Sequence, residues 1–345
     1  YLFHVYLAVL FSLTGLPSTV AFQSLHLLGF VPLLSFYVMI KAWFNKNSHR
    51  IGALSSLLAS TLGFGSLYVL GLRMKNSNFA LSPAINEAVT KTYDIWNIRL
   101  LTPISAWVVP VFYIGLPALF TFLFLIKKEF SKPAKCSIMA LLFALAYLGH
   151  VAEAFFLTII VLIYTVIADK TELPETASLS MLVGLAVVTL IDHAAPVTMY
   201  TSLNGRYGLT FLLNIVLLIL LFAILGVRKK RVFRRKIGQR TVNKICIVAG
   251  WLVVYGYLLS LLAWFHVLPQ FDAYKLGGYN FIPFFIFPLR YGAVGLLFMG
   301  LILGRLKDVI KNRDAAFFLA TAGAFFFLEQ MSNQSSLAFY PPYRY

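Results

Sequence analysis

The chain is short of most things a soluble domain is built on. Only 12% of its 345 residues are charged, about half the share in a globular protein. Acid is the scarcer sign: 12 Asp and Glu stand against 29 Lys and Arg, a formal net charge of +17. There are two cysteines, Cys136 and Cys246. Each stands alone at the start of an apolar run, just after a basic stretch. Neither belongs to a CxxC or Cys/His pattern, so no disulfide framework or thiolate metal site is expected, only small buried apolar side chains. No secretory leader pattern opens the chain. No internal repeat is visible, and no stretch reads as a soluble outer domain.

What is abundant is apolar surface. Sixty per cent of the residues are hydrophobic and the mean hydropathy is +0.83. That composition belongs to an integral membrane protein. Apolar runs recur at a length of about 20 residues, so the spans are helices; barrel strands would be shorter and alternating. The expected fold class is all-α: a polytopic helical membrane protein with about 10 membrane helices, several of them short or broken. Residues 1–345 form a single transmembrane domain, with a juxtamembrane helix at 1–15, membrane helices across 18–328 and an outer-face segment at 329–345. Full spans are expected at 18–44, 51–72, 104–126, 207–227, 245–267 and 281–304. Shorter apolar helices are expected at 179–191 and 315–328. The chain begins and stops in mid-pattern, so it is expected to be truncated at both ends.

Residues 136–168 are the least ordinary stretch. They read CSIMALLFALAYLGHVAEAFFLTIIVLIYTVIA, with His150 and Glu153 the sole ionisable groups before the run ends. The stretch is too long for one span of about 20 residues and too short for two full spans with a loop. Two short helices bent back at Gly149-His150 are expected. His150 and Glu153 are three apart and share a helix face. An ionisable pair in such a run is costly, and faces a protein-lined or watery cavity or staples two helices.

In a soluble protein the basic balance would suggest nucleic acid. Here it reads as topology. If successive spans alternate, most of the 29 Lys and Arg fall on one side, which the positive-inside rule makes the cytoplasm. The run RKKRVFRRK at 228–236 then lies beside anionic lipid as an anchor, and no nucleic-acid partner is expected. The expected location is a prokaryotic plasma membrane, with basic loops cytoplasmic. The opposite face collects His4, His150, His193, Arg206 and Arg290 with Asp94, Glu153 and Asp192. Any chemistry is expected there, on the extracytoplasmic side.

The opening stretch FHVYLAVLFSLTGLPSTVAFQSLHLLGFVPLLSFYVMIKAWF and the broken run LLFALAYLGHVAEAFFLTIIVLIYTVI resemble the polytopic membrane glycosyltransferases of the GT-C superfamily. So do the terminal YPPYRY and the order of spans across nearly the whole chain. The resemblance implies transfer of a sugar from a polyprenyl-phosphate carrier to an acceptor at the extracytoplasmic face. It also implies that the family's catalytic aspartate lies in a first luminal loop upstream of residue 1. His4 is followed by Val5 rather than the family's Pro, and His150 stands where many members carry Lys.

Such a transfer needs a carboxylate base, cations for the departing phosphate and a greasy groove for the prenyl tail. Asp94 and Asp192 are the candidate catalytic carboxylates. His4, His150, Glu153, His193, Arg206 and Arg290 are the candidates for binding substrate or carrier phosphate. Arg290 is the strongest, because it sits in the outer part of an apolar span and arginine binds phosphate bidentately; the alternative is a snorkelling interfacial arginine. Asp192 has loop capping as its alternative role, and Asp94 an interfacial ion pair. Asp192 beside His193 is compatible with a divalent metal, but no ligand spacing demands one and no cofactor is assigned. The expected partners are the lipid-linked sugar donor and the bilayer. A transporter or flippase for a lipid-linked or small anionic substrate is the competing class, since broken helices beside ionisable groups mark transporters too.

Overall fold

A computed structural model describes residues 8–9, 11–15, 30–61, 112–149, 151–168, 172–195, 198, 200–202, 207–229, 244, 247–248, 251, 304 and 312–334. Among these the regular structure is helical, with no strand. Eight helices are α1 (Phe30–Trp43), α2 (Asn47–Thr61), α3 (Phe112–Lys127), α4 (Lys132–Gly149), α5 (Val151–Ile167), α6 (Glu172–Ala194), α7 (Gly208–Lys229) and α8 (Arg313–Gln334). By length and composition α4, α6 and α7 can each cross a membrane, while α1, α5 and the apolar part of α3 are shorter. The chain is thus an all-helical, membrane-associated protein. The helix seen at residues 8–9 and 11–14 stops at Gly15, whose φ of 62° no Cβ opposes. Its amide bonds the Phe11 carbonyl at 2.9 Å.

The chain divides into two compact units, Tyr1–Arg50 with Trp107–Val242, and Ile51–Ala106 with Asn243–Tyr345. The first holds α1 and α3 to α7. The second holds α8 and most of α2.

Two expectations about length need correction. The break at 149–150 is where the sequence put it: α4 ends at Gly149 and α5 begins at Val151. Helix α4 is not short, however, while α5 is among the shorter apolar helices. They have 18 and 17 residues, and 18 residues rise about 27 Å, close to a bilayer core of about 30 Å. The gain comes from the basic end. Helix α4 starts at Lys132, and the amide of Lys135 already bonds the Ser131 carbonyl at 2.9 Å. Likewise 179–191 is the middle of α6, which has 23 residues. Glu172 and Glu175 lie in its first turn, where the helix dipole favours acid. Thr176, Ser178 and Ser180 bond carbonyls four residues back at 2.9, 2.6 and 2.7 Å. Those bonds let polar residues sit buried in the helix.

Packing in the first unit rests on small residues and aromatic edges. A Cβ on Gly184 of α6 would lie 2.7 Å from the Ala140 carbonyl of α4 and 3.0 Å from Phe143. The two backbones can approach that closely because glycine has no side chain there. Phe36 meets Phe120 edge-on at 5.3 Å, and Trp43 meets Tyr164 at 5.7 Å. Phe122, Phe143, Tyr147, Leu157 and Met181 are fully buried between the helices.

One end of this bundle is basic. The Trp43 indole donates to the Leu123 carbonyl at 3.0 Å, joining the ends of α1 and α3, and Lys127 lies 4.3 Å above the Trp43 ring. Lys135 is 5% exposed and donates to the carbonyls of Ile126 and Lys128 at 3.2 and 2.8 Å. Arg228 donates to the carbonyls of Thr165 and Ala168 at the end of α5. Arg50 donates to the Phe44 carbonyl at 2.7 Å. Lys229 pairs with Glu175 at 2.6 Å on the surface, a contact worth little in stability.

In the second unit, α8 is capped by Asn312. Its side-chain oxygen accepts from the amides of Asp314 and Ala315 at 3.0 and 3.2 Å, the expected N-cap arrangement. The helix continues to Gln334, past the expected stop at 328, because Glu329, Gln330 and Met331 are all good helix formers.

Candidate functional site

The other end of the first unit holds three of the polar groups that the sequence singled out, Glu153, Asp192 and His193. Gly149, closing α4, and Glu153, in the first turn of α5, both pack against the start of α3. A Cβ on Gly115 would lie 3.1 Å from Glu153 Oε2, and one on Gly149 would lie 3.1 Å from Ile114. Glu153 is 2% exposed. It occupies the space a side chain at position 115 would fill, so α3 carries glycine where the carboxylate enters. A carboxylate this deep in an apolar bundle is expensive, and the site is built around it.

Asp192 lies in the last turn of α6 and is 3% exposed. The chain reverses beyond it and returns to α7 through residues 200–202. Both carboxylate oxygens accept from the Tyr200 amide, at 3.2 and 3.1 Å. Oδ2 also accepts from the Thr201 amide at 2.8 Å and the Thr201 hydroxyl at 2.7 Å. Asp192 therefore ties the α6–α7 connection to the end of α6. An ionised carboxylate is acceptor-only, which suits a turn that presents two N–H groups and a hydroxyl. His193, next in sequence, is exposed. Neighbouring helical residues are turned about 100° apart, so the pair does not act from one point.

Aromatic rings pack around this tie. Tyr200 stacks on Tyr207 with centroids 5.4 Å apart and an interplanar angle of 17°. Tyr147 of α4 meets Tyr200 edge-on at 5.7 Å and Phe211 of α7 at 6.2 Å. Further in, the Thr158 hydroxyl of α5 donates to Asn214 Oδ1 of α7 at 2.8 Å, and Asn214 Nδ2 donates to the Thr210 carbonyl at 3.0 Å. Thr158 and Asn214 are fully buried. The Tyr147 hydroxyl is also buried; it lies close to Asn214 and in the field of Asp192 and Tyr200, but outside good hydrogen-bond geometry.

Of the sequence candidates, Glu153, Asp192 and His193 are described. Glu153 and Asp192 share this end of the bundle, on its α3 and α7 sides. His4, Asp94, His150, Arg206 and Arg290 lie outside the described residues. Among the described residues no three His, Cys, Asp or Glu side chains gather to hold a metal. Cys136 is a free, half-buried thiol near the start of α4. The sequence reading passed over Tyr147, Thr158, Tyr200, Thr201 and Asn214. One signal was available: Asn214 is an amide set in the apolar run LTFLLNIVLLILL. No family model, curated protein or solved structure matches the chain.

Proposed function

We propose that the chain is a membrane glycosyltransferase, moving a sugar from a polyprenyl-phosphate carrier to an acceptor at the extracytoplasmic face. The observation that carries this reading is the division of labour between the two ends of the first unit. One end uses its cations to close helices. The other holds two buried carboxylates, Glu153 and Asp192, among tyrosines and a buried amide. A transfer from a lipid carrier needs a polar, water-restricted site that a prenyl tail can reach from the bilayer. The span order and broken helix pair that resemble GT-C transferases add to it.

In this reading Asp192 is a positioning residue. Its oxygens are engaged by the turn at 200–201. Arg206, His4, His150 and His193 are the candidate donors to the carrier phosphate in the first unit, and Arg290 is a separate candidate in the second. Glu153 is a candidate for the wall of the first unit's site, and Asp94 is a candidate base in the second unit.

The test is binding and turnover in lipid nanodiscs. A short-chain polyprenyl phosphate should bind, and Arg290→Ala should weaken it roughly tenfold or more, the loss of one charge-assisted contact of about 1.5–3 kcal/mol. Unchanged binding removes Arg290 from the site. No binding by the intact chain removes the transferase reading.

The second reading, a transporter or flippase, draws on a different observation. The helix break between α4 and α5 adjoins the buried Glu153, and discontinuous helices beside ionisable groups build transport sites. Flux of a labelled lipid-linked substrate across proteoliposomes, without sugar transfer, would favour it.

A further inference from the structure

The basic end of the first unit holds cations of two kinds. Arg50, Lys135 and Arg228 turn inward and donate to backbone carbonyls. Their charge is already engaged. Lys41, Lys46, Lys128 and Lys132 differ, although Lys128 reaches to 5.6 Å over the Phe124 ring. All four are exposed, and among the described residues no ion pair or carbonyl bond holds them. They sit around two turns, between α1 and α2 and between α3 and α4: Lys46 and Lys128 on the turns, Lys41 in the last turn of α1 and Lys132 opening α4.

Those two turns are fixed side by side. The Trp43 indole bonds the Leu123 carbonyl at 3.0 Å, and Lys127 stacks 4.3 Å over the Trp43 ring. Arg50 Nε bonds the Phe44 carbonyl at 2.7 Å across the α1–α2 turn, and Lys135 bonds the Lys128 carbonyl at 2.8 Å across the α3–α4 turn. Glu129 is the one acid in segments 41–50 and 127–135. Between Lys128 and Lys132, Phe130 is 51% exposed. It lies three residues past the end of the apolar helix α3.

We propose that these two turns form a binding site for the phosphate headgroup of an anionic phospholipid. Lys41, Lys46, Lys128 and Lys132 supply the positive charge, and Phe130 dips among the acyl chains beside it. Inorganic phosphate would have no use for the exposed ring. A zwitterionic lipid would neutralise its own phosphate. The site stands whatever reaction the opposite end performs.

The test uses the full chain in neutral detergent, titrated with phosphatidylglycerol, phosphatidylcholine or inorganic phosphate. Retained lipid is read by native mass spectrometry and thermal midpoint. Phosphatidylglycerol should be retained and should raise the midpoint; phosphatidylcholine should not. Each Lys→Gln change at these four positions should weaken retention about fivefold, in line with the pull of one basic residue near an anionic surface. Lys→Arg at the same positions should restore it. Exposed substitutions of this kind leave folding nearly unchanged, and the unliganded midpoint of each variant checks that. Equal retention of both lipids would overturn the proposal. So would retention of phosphatidylglycerol by the fourfold Gln variant. Full displacement by millimolar inorganic phosphate would also overturn it, by making this a general anion site.

Discussion

Asp192 offers the sharpest test of how this end of the bundle is held together. Its carboxylate is 3% exposed and serves three donors: two amides and the Thr201 hydroxyl. Asp192→Ala leaves all three in a site with little water. Single bonds to a charged group contribute about 1.5–3 kcal/mol, and they do not add simply. Breaking a buried charged network costs about 3–5 kcal/mol, and that is the expected loss for Asp192→Ala. Asp192→Asn keeps one acceptor oxygen for the Thr201 pair but turns an NH2 toward the Tyr200 amide. It should cost about 1–2 kcal/mol, less than Ala but more than a surface change. Thr201→Val removes one bond and should cost about 1 kcal/mol. Combined with Asp192→Asn it should cost less than the sum, because the two changes break the same contact.

The assay is reversible unfolding in mixed micelles followed by tryptophan fluorescence, with hydrogen exchange at the amides of Tyr200 and Thr201. Asp192→Ala should speed exchange at both amides. The reasoning is refuted if Asp192→Ala unfolds at the wild-type point with those amides still protected. A different pattern would also refute it: Asp192→Asn abolishing turnover while stability and exchange stay unchanged. That would make Asp192 a reacting group rather than the tie of the α6–α7 turn.

Two further outcomes follow from the packing. Gly184→Ala places a methyl 2.7 Å from the Ala140 carbonyl, which is backbone and cannot swing aside, so the same unfolding assay should show a loss of about 1–3 kcal/mol. Arg228→Gln removes the guanidinium that bonds the Thr165 and Ala168 carbonyls; it should destabilise the chain by about 1.5–3 kcal/mol and deprotect the last turn of α5, whereas Arg228→Lys should recover part of the loss.

The helix break was legible because glycine and two ionisable residues interrupt a run that is otherwise apolar. The lengths were not. Reading α4 from Cys136 and α6 from Leu179 counted Lys132, Lys135, Glu172 and Glu175 as loop, since a hydropathy window treats a charge as an exit from the membrane. A long lysine need not leave the helix to be satisfied: Lys135 is buried within α4 and bonds carbonyls of the preceding segment. The serines and threonines of α6 likewise bond their own helix. At the site, Glu153 and Asp192 stood out because intramembrane carboxylates are rare. Tyr147, Thr158 and Asn214 did not, because a search for ionisable groups passes over neutral polar ones. Their role depends on which helices meet: Thr158 finds Asn214 across 56 positions of sequence. The adjacency of Asp192 and His193 looked like a motif, but helical geometry separates them, one buried and one exposed.

The sign of charge at each end has a local cause. Helices α1, α3 and α5 deliver their C-termini to the basic end, and a helix C-terminus leaves up to four carbonyls without partners. Only a donor can satisfy a carbonyl. Arg50, Lys135 and Arg228 are donors with no acceptor capacity, long enough to reach a neighbouring helix end, and each bonds such a carbonyl. At the opposite end the turn at 200–201 presents N–H groups, and there the buried charged partner is an acceptor, Asp192. The positive-inside rule explains why lysine and arginine collect on one side of a membrane. It does not explain why three of them turn inward. The orphaned carbonyls do, and the two explanations separate in one variant: Arg228→Gln deletes a charge but keeps an amide donor. If Arg228 acts only through topology, exchange at the end of α5 should match the wild type. If it acts as a cap, that turn should open in proportion to the lost donors while the chain keeps its orientation.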